Sequence, residues 1–248
     1  MRIDVINPNT TAAMTAAIGR AAEAVAAPGT RIVARQPAFG APSIEGHHDE
    51  AWAAAGVATE VRAGQSEGAD AFVVACFGDP GVAAAREVAT GPVLGIAEAA
   101  FHCASMLATG FSVVTTLTRT CTIAEHLVVQ HGFERRCRGI HGTDIAVLDL
   151  DDPASDAYVR IRAAARDALQ RDRSGAIVLG CAGMADWCRR LQQDLGVPVV
   201  DGVAAAVKLA EALVTLGLGT SKHGDYAPPL PKAYAGLAAP YGPGPVRA

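Results

Sequence analysis

The sequence carries the stretch GADAFVVACFGD at residues 68–79 and the related stretch RSGAIVLGCAGM at residues 173–184. Each stretch contains a short, uninterrupted apolar run that leads into Cys-x-Gly. A continuous rather than alternating apolar run is typical of a strand that is covered on both faces, as in a parallel sheet. The two stretches therefore predict equivalent strands in two related parts of the chain.

The same order of features continues downstream of both stretches. Residues 91–96 (GPVLGI) parallel residues 197–202 (VPVVDG), and each segment precedes an Ala-rich stretch. A weaker echo relates residues 3–11 to residues 112–120. Chance recurrence of strand–turn–helix patterns is the alternative, but the Cys, Gly and Pro residues recur in the same order. We therefore predict a duplication, with two halves built on one pattern.

Short Val- and Ile-rich runs alternate with Ala-rich amphipathic segments along the chain. The predicted strands are residues 3–7, 31–34, 71–75, 93–96, 112–115, 145–148, 176–179 and 197–200. The predicted helices are residues 10–25, 49–67, 82–88, 121–130, 158–171 and 186–195. This alternation predicts an α/β fold of two pseudo-symmetric three-layer domains with mostly parallel sheets, and an active site in the crevice between them. We place the first half at residues 1–98 plus about 209–248 and the second half at residues 99–208.

The composition excludes several classes of protein. Of the 248 residues, 50% are hydrophobic and 19% are charged, which indicates a globular rather than a disordered chain. Lys and Arg number 21 against 25 Asp and Glu, without a basic run, so neither nucleic acid nor a membrane is expected as a partner. No signal peptide is expected, and the six cysteines form no CxxC pair. We therefore predict a cytoplasmic protein with reduced thiols.

Candidate functional residues follow the carboxyl ends of four predicted strands, which gather at one edge of a parallel sheet. They lie in residues 7–11, 76–79, 115–116 and 181–184. Asp79 and Pro80 are typical of a helix N-terminus. The thiol of Cys76 is therefore expected near the positive end of a helix dipole, which lowers a thiol pKa.

Cys76 and Cys181, one from each half, suggest the inversion of a stereocentre. Inversion through a planar carbanion needs a base on one face of the carbon and an acid on the other. Two sulfurs that each lie within ~3 to 4 Å of that carbon are roughly 7 Å apart, which is too far for a disulfide. The alternative for either cysteine alone is a small buried hydrophobe.

Six motifs together resemble the hydantoin and allantoin racemase family of the aspartate/glutamate racemase superfamily. They are INPNTT at 6–11, PSIEG at 42–46, ACFGDPG at 75–81, VTTL at 114–117, LGCAGM at 179–184 and PVVDGV at 198–203. The match covers nearly the whole chain, from about residue 3 to residue 225. The resemblance implies a pseudo-symmetric two-domain α/β fold, a homo-oligomer, and racemisation at C5 of a hydantoin ring without a cofactor or a metal.

The resemblance also implies roles for individual residues. Cys76 and Cys181 are the expected catalytic acid/base pair. The expected substrate-binding residues are Asn9, Ser43, Gly78, Thr115, Thr116 and Gly183. Neutral hydroxyl, amide and backbone N–H groups suit a cyclic ureide, and N–H donors directed at its C4 oxygen stabilise the enolate.

Two sequence details separate the branches of this family. Gly78 and the segment SKHGD at 221–225 resemble the allantoin racemases, since hydantoin racemases often carry an acidic residue at the Gly78 position. Thr118 departs from the family, which often has proline there. The expected substrate is therefore allantoin, a hydantoin of purine catabolism, with 5-alkyl or 5-aryl hydantoins as the alternative.

Other motifs favour structural interpretations. His47 and His48 precede Asp49 and Glu50, a pattern more typical of a loop that enters a helix than of a metal site. His102 lies on an Ala-rich segment and is interpreted as a core histidine. The sequence has no GxGxxG or Walker A motif, which argues against a nucleotide site. The Pro-rich tail, residues 227–245, is expected to be loosely ordered or to lie on a neighbouring subunit.

Three rival functions stay open. A decarboxylase of the same superfamily keeps a single cysteine, whereas this chain has two at matching positions. A racemase of free aspartate or glutamate needs cationic groups for the substrate carboxylates, and the strand-end motifs contain no Arg or Lys. The third rival is a ureide-binding protein without turnover.

Overall fold

Eight short strands form two four-stranded parallel sheets in the computed structural model, which describes residues 1–151 and 155–243. The first sheet contains β1 (Arg2–Ile6), β2 (Arg31–Arg35), β3 (Ala71–Val74) and β4 (Val93–Gly95), and the second contains β5 (Phe111–Thr115), β6 (Cys137–Gly142), β7 (Ala176–Leu179) and β8 (Val199–Val200). The strand orders are β2-β1-β3-β4 and β6-β5-β7-β8, and all paired strands are parallel. The two orders are equivalent, so the predicted α/β fold with two pseudo-symmetric halves is confirmed.

Helices follow the strands in both halves. They are α1 (Ala12–Glu23), α2 (His47–Ser66), α3 (Val82–Val88), α4 (Ile96–Leu107), α5 (Cys121–Gln130), α6 (Ala157–Arg171), α7 (Cys188–Leu195) and α8 (Gly202–Thr215). Helices α3 and α5 begin and end at the predicted residues. Every residue of β3 and β7 is buried, because helices cover both faces of each sheet.

Helices α4 and α8 join the two halves. Each follows the last strand of its own sheet, yet α4 packs on β7 and α8 packs on β3, so each helix also covers the sheet of the other half. The two helices pack on each other as well, and their buried faces carry the small side chains of Ala97, Ala100, Ala206 and Ala210. The exact division of the chain into halves stays a prediction.

Aromatic rings form the centre of the shared core. Phe101 on α4 stacks on Phe111 of β5 with ring centroids 5.6 Å apart, and Phe133 lies 5.8 Å from the Phe101 ring. Phe77, in the loop after β3, meets Phe101 edge to face at 5.7 Å. Edge-to-face and offset rings are favourable arrangements beyond their buried area. Phe77 therefore anchors the loop that also carries Cys76.

The predicted strand at residues 145–148 is wrong. The chain there is irregular and then forms a 3-10 helix at Val147–Asp151, while Ile145 and Leu150 pack into the core beside α6. The second sheet takes its edge strand from β6 instead, whose sequence is CRGIHG. This strand has β5 as its neighbour on one side, so backbone pairing holds it and its side chains need not be apolar.

The tail after α8 is partly tied to the first half. Arg62 donates hydrogen bonds to the backbone oxygens of Tyr241 and Gly242, and the ring of Tyr241 lies 5.2 Å from that of Phe39. Residues 244–248 lie outside the described residues. They include the end of the predicted Pro-rich tail and of the predicted first half. Within the part of the chain that the structure describes, no helix combines the length and the apolarity needed to cross a membrane.

Candidate active site

A cavity lies at the carboxyl ends of β1, β3, β5 and β7. Six of the eight residues proposed from the sequence line it: Asn9, Cys76, Gly78, Thr115, Thr116 and Cys181. The other lining residues are mostly apolar: Met14, Ile44, Glu50, Ala75, Phe77, Thr120, Ile123, Ala124, Val147, Gly180 and Ala182. Strands of both sheets contribute, so the cavity lies in the crevice between the halves.

Cys76 leaves the end of β3 as a partly buried thiol. Burial raises the pKa of Cys76 to about 12, although the backbone N–H of Gly78 donates a hydrogen bond to its sulfur and opposes the shift. The charges of Cys181, Asp79 and Glu50 act in the same direction as burial. The resting form of this side chain near neutral pH is therefore the thiol.

The sequence prediction that Asp79 and Pro80 form the N-terminus of the helix after Cys76 is wrong. Asp79 has a left-handed backbone with φ of 44°, and α3 begins only at Val82, after the left-handed Gly81. The Asp79 carboxylate does not cap α3. It accepts hydrogen bonds from the backbone N–H groups of Ala97 (3.0 Å) and Glu98 (2.9 Å), in the first turn of α4.

Asp79 supplies a cap that α4 lacks in its own sequence. The residue before α4 is Gly95, and the Asp79 carboxylate fills the space that a side chain at Gly95 would need. In the equivalent place before α8, Asp201 accepts hydrogen bonds from the N–H groups of Val203 and Ala204. The carboxylate that caps α8 therefore comes from the residue directly before that helix, whereas the one that caps α4 comes from the loop that carries Cys76. This second contact fixes the Cys76 loop against α4.

Cys181 follows β7 in the position that Cys76 has after β3. Its backbone is extended, with φ of −157°, and a 3-10 helix begins directly after it at Ala182–Trp187. A Cβ at Gly180 would lie 2.5 Å from the Cβ of Thr115, so a glycine there lets the ends of β5 and β7 approach closely. The thiols of Cys76 and Cys181 therefore reach the same cavity from equivalent strands of the two sheets.

Asn9 presents an amide donor to the cavity. Its side-chain oxygen accepts hydrogen bonds from Asn7 Nδ2 (2.8 Å) and from the backbone N–H of Thr11 (2.9 Å). Its Nδ2 points to the sulfur of Met14 at 3.0 Å, which is a weak acceptor. A carbonyl oxygen of a bound molecule can therefore replace the sulfur as the partner of this amide.

Thr115 and Thr116 are buried at the end of β5. The hydroxyl of Thr115 donates to the backbone oxygen of Gly180 (2.8 Å), which leaves its oxygen lone pairs as acceptors. The carbonyls of both threonines accept hydrogen bonds from Thr143, so the strand end is fixed on its outer side. The Thr115 hydroxyl oxygen is thus a buried hydrogen-bond acceptor in the cavity lining.

Ser43 and Gly183 lie next to cavity residues. The Ser43 hydroxyl donates to Glu45 at 3.1 Å, and the neighbouring Ile44 lines the cavity. Gly183 follows the lining residue Ala182, and a Cβ at Gly183 would lie 3.7 Å from the Cys181 sulfur. Substrate-binding roles for Ser43 and Gly183 stay predictions.

Sequence reasoning missed Glu50 as a cavity residue. The sequence placed it in the first turn of a helix, and α2 does begin at His47, but a helix N-terminus outside the strand ends gives no signal that it reaches the site. Thr120 and Val147 were missed for the same reason, since neither follows a strand.

The histidine pair before α2 has a structural partner. His47 Nδ1 lies 3.1 Å from Glu50 Oε2, and His48 is exposed. Across residues 1–151 and 155–243, no group of three or more His, Cys, Asp or Glu side chains is arranged to hold a metal ion. All six cysteines are present as thiols.

The chain is similar over nearly its whole length to several proteins that are named as racemases. It is 48% identical over 242 residues to the hydantoin racemase of Pseudomonas sp. (strain NS671), covering 98% of this chain and 97% of that protein. The allantoin racemase structure from Klebsiella pneumoniae is 57% identical with a TM-score of 0.96, over 98% of this chain and 99% of that one. The Pseudomonas fluorescens allantoin racemase structure is 43% identical with a TM-score of 0.92, over 95% and 100% of the two chains.

A family model describes the same relationship independently of any single relative. The model of the Asp/Glu/Hydantoin racemase family matches residues 3–210, which include every cavity residue described above. The match agrees with the relatives of 48% and 57% identity, which cover the chain almost from end to end. The chain therefore belongs to the Asp/Glu/hydantoin racemase family and is an enzyme of the isomerase class.

Proposed function

We propose that this enzyme racemises 5-substituted hydantoins, with allantoin as its main substrate, by exchanging the C5 proton between Cys76 and Cys181 without a cofactor. The observation that carries the proposal is that two thiols reach one cavity from equivalent strands of the two halves. Relatives named as hydantoin and allantoin racemases support the substrate class. A cytoplasmic location and a homo-oligomeric state remain predictions that accompany this proposal.

The cavity lining suits a ring that carries no free carboxylate. The described lining residues contain no Arg or Lys, which substrates with free carboxylates need. A hydantoin ring instead offers two carbonyl oxygens and two N–H groups. The amide of Asn9 can donate to a carbonyl, and the hydroxyl oxygen of Thr115 can accept an N–H.

One proton and one negative charge are shared by the two sulfurs through the reaction. A thiolate on one side removes the C5 proton, and the electron pair of the C–H bond passes into the ring as an enolate with its charge on the C4 oxygen. The thiol on the other side then donates its proton to the opposite face of C5, and its own electron pair remains on sulfur as the new thiolate. Each turnover therefore inverts C5 and exchanges the roles of the two cysteines.

The electrostatics of the cavity favour a single charge on the pair. Burial keeps Cys76 protonated near neutral pH, and a thiolate at Cys181 raises the pKa of Cys76 further. Two neighbouring ionisable groups that repel each other lose their protons in separate steps. The pair therefore carries one proton and one negative charge at a time, and the thiol that holds the proton acts as the acid.

The proposal is tested with single enantiomers of allantoin and of 5-methylhydantoin in deuterated buffer, by following optical rotation and the C5 proton together. Deuterium uptake is required, because loss of rotation alone does not report proton exchange at C5. We expect both signals to change faster than in buffer, without any added cofactor. No exchange on either substrate would remove the proposal in favour of a decarboxylase or a ureide-binding protein.

Three cysteine variants test the mechanism. Cys76→Ser and Cys181→Ser should each lower racemisation by about 10²- to 10⁴-fold, the usual contribution of general acid/base catalysis. Cys103→Ser is the matched control, because Cys103 is partly buried on α4 away from the cavity. The two-thiol mechanism is wrong if Cys76→Ser or Cys181→Ser racemises at the rate of the parent. Exchange of one enantiomer alone by a single variant would identify the face that each thiol serves.

A further inference from the structure

Glu50 brings a carboxylate into a cavity that is otherwise neutral and mostly apolar. It lies in the first turn of α2, with its backbone N–H bonded to the oxygen of Gly46 at 3.1 Å, and its side chain is 18% exposed. Gly78, another cavity residue, lies so near that a Cβ there would collide with Glu50 Oε1. The Glu50 carboxylate therefore occupies the space beside Cys76 that another side chain at position 78 would take.

The two carboxylate oxygens of Glu50 face different surroundings. Oε2 is held at 3.1 Å by Nδ1 of His47, whose own side chain is mostly exposed. Oε1 lies beside Gly78, and both residues line the cavity. One oxygen is thus held by His47, and the other lies beside the cavity residue Gly78.

The surroundings of Glu50 make its charge costly in the absence of a donor. Burial raises the pKa of the Glu50 carboxyl, and the charge of Asp49 acts in the same direction, while His47 and His126 oppose it. A partly desolvated carboxylate gains more from N–H donors than from water, and it loses when an apolar group covers it. The position next to Gly78 therefore favours a ligand that brings N–H groups there.

We propose that Glu50 determines the preferred 5-substituent of the substrate, by accepting hydrogen bonds from the N–H groups of a ureido substituent. This inference rests on the proposed function, because C5 must lie between Cys76 and Cys181, which places its substituent within reach of the Gly78 side of the cavity. A ureido group offers N–H donors to a carboxylate, whereas a methyl or benzyl group offers none and strips water from it. Glu50 thus favours allantoin over 5-alkyl and 5-aryl hydantoins.

The decisive variants are Glu50→Gln and Glu50→Ala, with Glu125→Gln as the matched control. Glu125 lies on α5, and its side chain is exposed, so the control removes the same charge without changing the described cavity lining. For each protein, kcat/KM for C5 deuterium exchange is measured with allantoin and with 5-methylhydantoin. Loss of a hydrogen bond to a charged group corresponds to about 10- to 100-fold in kcat/KM. We expect that loss for allantoin with Glu50→Ala, a smaller loss with Glu50→Gln, and less than about threefold change for 5-methylhydantoin.

Equal losses on both substrates would overturn the inference, because they would show that Glu50 supports the fold or the general chemistry. An unchanged preference for allantoin in Glu50→Ala would overturn it as well. The proposed function is judged on the parent enzyme alone: C5 exchange accompanied by loss of optical rotation upholds the racemase, whatever the variants show. Exchange with neither removes the racemase and this inference together.

A second measurement uses the substrate in place of the protein, in case Glu50→Ala does not fold. 5-(3,3-Dimethylureido)hydantoin lacks the terminal N–H donors of allantoin. With the parent enzyme we expect its kcat/KM to fall by about 10-fold or more relative to allantoin, and a smaller fall with Glu50→Gln. If the parent enzyme exchanges both ureides equally well, the proposed contact with Glu50 is wrong.

Discussion

Replacing Asp79 tests whether the loop that carries Cys76 is held by α4. In the structure, the Asp79 carboxylate accepts the N–H groups of Ala97 at 3.0 Å and Glu98 at 2.9 Å, and the first of these lies in a buried region. The variant Asp79→Ala removes both bonds and also places alanine at a φ of 44°. Both changes act on the folded state, so the free energy of unfolding should fall.

The expected loss follows from these contacts. Each helix N–H that loses its acceptor costs about 1–3 kcal/mol, and the partly buried Glu98 lies at the low end of that range. Left-handed backbone costs alanine about 1–2 kcal/mol, whereas asparagine tolerates it. We therefore expect Asp79→Ala to lose about 4 kcal/mol and Asp79→Asn about half of that. For a chain of this length, 4 kcal/mol lowers Tm by about 8 to 16 °C.

Urea unfolding followed by circular dichroism at pH 4.5, below the raised pKa of Asp79, measures this loss, with Asp201→Ala as the matched control. Asp201 caps the equivalent helix with the same two kinds of bond, but its φ is −87° and its loop does not carry Cys76. The control should lose about 1–2 kcal/mol and keep the rate of C5 exchange, whereas Asp79→Ala should lower both stability and rate. If Asp79→Ala is no less stable than Asp201→Ala, or if it exchanges C5 at the rate of the parent, the reasoning is refuted.

Three further predictions address other parts of the structure. Burial raises the pKa of Asp79 to about 7, so between pH 4 and 7 the folded chain holds a proton that the unfolded chain releases. The stability of the parent relative to Asp79→Asn should therefore fall as pH rises through this window, and a constant difference would contradict the assignment. Asp4 is fully buried between Arg2 and Arg35, so Asp4→Ala should lower the free energy of unfolding in urea by about 3–5 kcal/mol. Glu67 is an exposed carboxylate on the same arginines, so Glu67→Ala should lower it far less. Gly180→Ala places a Cβ 2.5 Å from that of Thr115 and should lower the Tm and the exchange rate together; normal values for both would show that the strand ends can separate freely.

The strand ends were predictable because they depend on local sequence. An apolar run followed by Cys-x-Gly predicted both β3 and β7, and parallel pairing then places Cys76 and Cys181 at the same edge of their sheets. The edge strand β6 escaped prediction, since one neighbouring strand holds it through backbone bonds and its sequence need not be apolar. The opposite error arose at residues 145–148, where apolar side chains fill the core from a 3-10 segment.

The sequence by itself determined the doubled α/β pattern, the cysteine at the end of one strand in each half, and the membership of a racemase family that the motifs indicated. These features follow from periodicity and from residues that are adjacent along the chain. Only the tertiary structure decided that Asp79 caps α4 rather than α3, that burial raises the pKa of Cys76, and that Glu50 enters the cavity beside Gly78. Those features depend on which distant groups approach in space and how much water they exclude, and neither quantity is encoded in local spacing.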